Sequence, residues 1–100
     1  MSVLITIKVP GNVDVFTKCL EERADEFAAI AERAKPLGAI HHRFGLGADH
    51  VLVVDEWESA EQFEAFFANP ELHSFISSVG GNPEASEVAI TTAVSSPDEF

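Results

Sequence analysis

His42, Asp55 and Trp57 are the residues of this chain best suited to chemistry. An imidazole changes charge near neutral pH, and the hydrogen bond made by one ring nitrogen decides which proton the other can take or give. A carboxylate placed beside His42 would fix that choice, and the imidazole could then remove a proton from a phenol or enol. An indole next to both offers a flat apolar face and one N–H donor. His41 precedes His42 directly. On a strand, neighbours point to opposite faces, so the two imidazoles cannot ligate one metal within a subunit. No further histidine, cysteine or acid stands at a recognised metal spacing, and a structural zinc site is not expected.

The other reactive types have plainer readings. His50 begins a strand beside a turn and faces water. His73 flanks an apolar helical stripe and reaches either solvent or a pocket mouth. Cys19, the single cysteine, falls beside Phe16 and Leu20 as a buried, inert thiol. Gly45 and Gly47 lack the third glycine and following helix of a dinucleotide loop. There is no Walker loop, nucleophile elbow or basic-aromatic stripe.

The elements that must carry these groups follow from periodicity. Leu4 to Pro10 reads as a strand, with Val3, Ile5, Ile7 and Val9 on one face. From Asp14 to Lys35 the period turns helical through Phe16, Leu20, Ala24, Phe27, Ala31 and Ala34, until Pro36 and Gly38 stop it. Ala39 to Phe44 and His50 to Trp57 form two strands joined by a glycine-bearing hairpin. With Leu46 to Asp49 as the loop, Phe44 faces Val51, His42 faces Val53 and Ile40 faces Asp55. Ile40, His42, Phe44, Val51, Val53, Asp55 and Trp57 then all point toward the helices. A slip of one residue would reverse every face.

Ser59 and Gln62 have capping-box spacing before a helix carrying Phe63, Phe66 and Phe67. Asn69-Pro70 interrupts it and starts another, with Leu72, Phe75, Ile76 and Val79, closed by Gly80-Gly81. Glu87 to Val94 is the last strand, with Val88, Ile90, Thr92 and Val94 on one side. The order is a ferredoxin-like βαββαβ arrangement, an α+β fold with a four-stranded antiparallel sheet and helices on one face. One hundred residues make one such domain, 1–100.

Composition narrows the setting. Seventeen acids against six bases give a net charge of −11, which repels phosphate backbones and anionic lipid, so neither nucleic acid nor membrane is an expected partner. The uncharged apolar run Val51 to Val54, like every other in the chain, falls far short of the roughly 20 residues that cross a bilayer. No targeting pattern opens the chain, and one cysteine suits a reducing compartment, so a cytoplasmic location is expected. The helices cover only one sheet face. The other holds Leu4, Thr6, Ala39, Leu52, Val54, Ala89, Thr91 and Ala93, with His41, Arg43 and Glu56 among them. That face is too apolar to leave in water, and a twofold homodimer packing sheet on sheet would cover it.

The run Val53-Val54-Asp55-Glu56-Trp57-Glu58-Ser59-Ala60-Glu61-Gln62-Phe63, followed by Ala65-Phe66-Phe67-Ala68-Asn69-Pro70, resembles the dimeric α+β barrel superfamily. More loosely it is similar to the antibiotic-biosynthesis-monooxygenase group within it. In that group a strand ends in an acid, one spacer and a tryptophan, then enters a capped helix with a proline break. The resemblance implies a homodimer with a pocket for a small apolar or aromatic compound and, in some members, oxygenation without a cofactor. It departs at Phe66 and Phe67, where members commonly place a histidine, and at Glu71, where a second histidine often stands. The first strand has no asparagine of the kind haem degraders share, so haem degradation is disfavoured.

Two functions are therefore expected side by side. In the first, Asp55 orients His42, and His42 takes a proton from a compound held against Trp57, with Phe44, Phe63, Phe66, Phe67 and His73 around it and no cofactor. In the second, the chain is a non-catalytic ligand-binding or assembly module, and the same residues are core. Imidazole–carboxylate pairs serve structure as well as catalysis.

Overall fold

Alternation decides the first strand, β1 (Val3–Pro10): Ile5, Ile7 and Val9 are buried while Leu4, Thr6 and Lys8 are exposed. The computed structural model describes residues 1–100. After β1 come α1 (Val13–Glu22), α2 (Ala24–Ala34), β2 (Ala39–Leu46), β3 (His50–Trp57), α3 (Ala60–Phe67), α4 (Pro70–Ser78) and β4 (Glu87–Thr92). The strands lie in the order β2-β3-β1-β4, every neighbour antiparallel, which is the ferredoxin-like α+β fold.

The single helix expected between Asp14 and Lys35 is two. Arg23 leaves helical geometry at φ −122°, ψ 31°, ending α1 and starting α2. Its guanidinium pairs with Glu26, donates to Ser78 Oγ at 2.8 Å and stacks over Phe75 at 4.9 Å. A short 3-10 turn, Lys35–Leu37, then hands the chain to Gly38 at φ 118°. Only glycine suits this left-handed step, and a Cβ here would also stand 2.7 Å from the Gln62 side chain.

The β2–β3 hairpin is tighter than expected. The Gly47 N–H donates to the His50 carbonyl at 2.9 Å, leaving Ala48 and Asp49 to turn the chain. The ladder is consequently shifted two residues from the expected register: Phe44 pairs with Val53 and His42 with Asp55. Side chains alternate with period two, so a two-residue shift keeps every face while bringing the imidazole directly opposite the carboxylate. A bulge between Ala39 and His41 makes Ile40 an extra, unpaired residue. It is 54% exposed while still lining the cavity, and Ala39 turns inward against the core, reversing the expected placement of Ala39.

Side-chain caps fix the helices over the sheet. Ser59 Oγ accepts from Gln62 N–H at 3.2 Å, and Asn69 Oδ1 accepts from Glu71 N–H at 2.9 Å with Pro70 in the first turn. One cluster of buried residues joins Ile5, Ile7, Val9, Ala34, Trp57 and Phe63; a second joins Phe16, Val51 and Val79. Each large side chain among them contributes about 1.5–3 kcal/mol on burial. The opposite sheet face is open, with Leu4 46% and Val54 41% exposed. β4 ends at Thr92, two residues before the expected limit, and buries none of its residues. No helix is long and apolar enough to cross a membrane.

Candidate functional site

A cavity of about 420 Å³ lies between the sheet and the helices. Ile7 and Val53 line it from the sheet, Ala31 and Ala34 from α2, and Phe66 and Phe67 from α3, with Phe75 from α4. Alternation puts His42 and Phe44 of β2 and Asp55 and Trp57 of β3 on the same side, and all four line it too. The volume falls within the range of about 300–1,000 Å³ usual for small-molecule sites.

Polar contacts in this apolar box concentrate on one chain of three side chains. His42 Nδ1 stands 2.6 Å from Asp55 Oδ1, and the Trp57 indole N–H donates to Asp55 Oδ2 at 3.1 Å. Asp55 is 8% exposed, so an ionised carboxylate there needs these donors. With Asp55 ionised, Nδ1 must carry the hydrogen, which leaves a lone pair on Nε2 of a neutral imidazole. No protein group bonds Nε2, and the His42 side chain is 45% exposed, so this nitrogen can meet a ligand and exchange its proton with solvent. Phe44 stands edge-on to the imidazole, ring centroids 4.6 Å apart at 85°, and limits how the ring can turn.

Placement differs among the remaining candidates. Phe44, Phe63, Phe66 and Phe67 line the cavity; His73 does not. Its Nε2 lies 2.6 Å from the Phe67 carbonyl and its ring packs against Phe67, so it braces the step from α3 to α4. Trp57 lines the cavity but is only 2% exposed, covered by Phe63 and Phe66 with ring centroids at 5.8 and 5.4 Å. A ligand therefore finds almost none of its face, contrary to the expectation of a substrate held against it. Sequence reasoning missed the wall made by Ala31 and Ala34. The signal was available: alanines recur on the inward stripe of α2 beside Phe27, where small side chains leave space. Phe16, Phe27, Phe44 and Phe75 close the other end through edge-to-face contacts, with centroids 5.0–6.0 Å apart.

No family model matches the chain, and no curated protein matches it. Solved structures do. A monooxygenase of Streptomyces coelicolor, ActVA-Orf6 in complex with nanaomycin D, matches at TM-score 0.69 and 18% identity over 99% of this chain and 93% of that one. A dimeric ferredoxin-like protein from an uncultured marine organism matches at 0.65 and 15% identity over 99% and 93%. A mutant of SnoaB, a cofactor-independent oxygenase from Streptomyces nogalater, matches at 0.61 and 16% identity over 98% of each chain. The chain thus shares the ferredoxin-like α+β fold of these proteins over nearly its whole length.

Proposed function

We propose that this protein works as a homodimer binding a small, largely apolar or aromatic compound in the cavity beneath its helices, and that it oxygenates that compound without a cofactor. The observation that carries the reading is the His42–Asp55 pair at the wall of an otherwise apolar cavity. His42 Nε2 removes a proton from an acidic phenol, enol or activated CH₂ group, and Asp55 holds the imidazole in the tautomer that makes this possible. The resulting carbanion reacts with dioxygen. One oxygen atom remains on carbon as a carbonyl; the other leaves as water with the two hydrogens of the CH₂. The likeness to SnoaB and ActVA-Orf6 supports this chemistry, and the exposed Leu4 and Val54 support pairing of two sheets.

A second reading, a non-catalytic ligand-binding module, draws on Phe66 and Phe67. They line the cavity where the resembling group commonly carries a histidine. Air oxidation of anthrone- and quinol-type compounds by the purified protein, followed by oxygen uptake, separates the two. Turnover that His42→Ala removes establishes the first reading. Saturable binding of the same compounds with no oxygen uptake establishes the second.

A further inference from the structure

We infer that Trp57 is a positioning residue that acts on His42 through Asp55: its indole N–H holds Oδ2 so that Oδ1 stays on the imidazole. Asp55 and Trp57 are two apart on β3 and share a face, so the strand itself brings the N–H within 3.1 Å of the carboxylate. Beyond its packing in the core, the indole has little to offer a ligand. At 2% exposure and covered by Phe63 and Phe66, it offers a ligand almost no surface, while a buried N–H without a partner would be costly. The carboxylate accepts one side-chain bond on each oxygen, from His42 and from Trp57, and a single contact would leave it free to rotate about its Cβ–Cγ bond. Two donors pin its plane. The consequence is a fixed Nδ1–H tautomer of His42, with Nε2 kept as the acceptor.

This role rests on the reading of His42 as a base, but spectroscopy can test it without turnover. The chain has one tryptophan, so its indole ¹H–¹⁵N resonance is unambiguous. That resonance should move in His42→Ala, because the shared carboxylate couples the two rings. In the unmodified protein, ¹⁵N shifts should place the proton of the neutral His42 ring on Nδ1. Trp57→Phe keeps an aromatic ring and removes the donor, and should let an Nε2–H population appear. Phe63→Leu loosens packing around the indole and keeps its N–H, and should retain the original tautomer. Where turnover is measurable, Trp57→Phe should lower kcat about tenfold with KM unchanged. An indole resonance unmoved by His42→Ala overturns the inference, as does an unchanged tautomer in Trp57→Phe or an equal change in Phe63→Leu. Tautomer changes as expected with no oxygen uptake by any variant would uphold it and discard the oxygenase reading alone.

Discussion

His42 and Asp55 sit directly opposite one another on the β2–β3 ladder, and their side chains meet on the cavity side with Nδ1 2.6 Å from Oδ1. A cross-strand pair of this kind is held by two backbones at once, so neither partner needs a flexible loop to reach the other. Rigid elements suit a base whose ring nitrogen must keep one orientation.

Removing the imidazole tests the pair most directly. His42→Ala should lower oxygen uptake by about 10²–10⁴-fold, the span that a positioned base contributes. Its cost to stability should be about 1–3 kcal/mol, because the 8%-exposed Asp55 carboxylate keeps only the Trp57 donor, while water entering at the 45%-exposed His42 position replaces part of the lost bond. Thermal unfolding measured beside oxygen uptake distinguishes a lost base from a lost fold. A variant that unfolds far earlier than this would mean that the pair is chiefly structural.

Much of this arrangement was legible before any coordinates, and the misses have identifiable physical causes. Ile5, Ile7 and Val9 alternate without interruption, so β1 and its buried face followed directly. The inward direction of His42 and Asp55 followed as well, because faces depend only on whether the register is odd or even. Their direct pairing did not, since Gly45 and Gly47 both suit a turn and the choice between a four- and a two-residue loop rests on one backbone bond from Gly47 to His50. The bulge at Ile40 has no glycine or proline to announce it. Arg23 likewise breaks a helix without either residue, and its ties to Glu26, Ser78 and Phe75 exist only in three dimensions. The cavity itself was expected, with Phe44, Phe63, Phe66 and Phe67 around it, but its α2 wall was not, because the space there depends on Ala31 and Ala34 from a different element.

Filling that space tests whether the cavity binds anything. Ala31→Phe places a ring where α2 faces the void. It should weaken binding of an aromatic ligand at least about tenfold, while stability stays within about 1 kcal/mol because the ring enters existing space. Trp57 is the only tryptophan and there is no tyrosine, so its fluorescence reports the titration cleanly. Unchanged affinity in this variant would place the ligand elsewhere.

The open sheet face makes a separate prediction. Val54 and Leu4 are 41% and 46% exposed at its middle, and a second copy packed there would bury both. Val54→Lys should raise the dimer dissociation constant about a hundredfold, the effect of about 2.7 kcal/mol. Light scattering over a dilution series gives the mass directly. Lys8→Ala, a change from an already charged residue on the same face, should leave the dimer intact. A wild-type chain that stays monomeric at high concentration removes the pairing altogether.

The Arg23–Glu26 pair carries a pH dependence whose sign can be worked out. The hydrogen bonds from the Arg23 guanidinium, opposed by partial desolvation and aided by its charge, hold the Glu26 carboxyl below its ordinary 4.5. A carboxyl that ionises more readily in the folded state stabilises that state fully above its ordinary value, and the benefit is lost as pH falls through the lowered value. Glu26→Gln should therefore flatten this acid-side component of stability and leave the shape of the neutral-to-alkaline limb unaltered. Unfolding in urea across the acid range measures it. Because the Glu26 side chain is 54% exposed, the effect should shrink in high salt, and an acid limb that keeps its slope in the variant would assign the loss to other carboxylates.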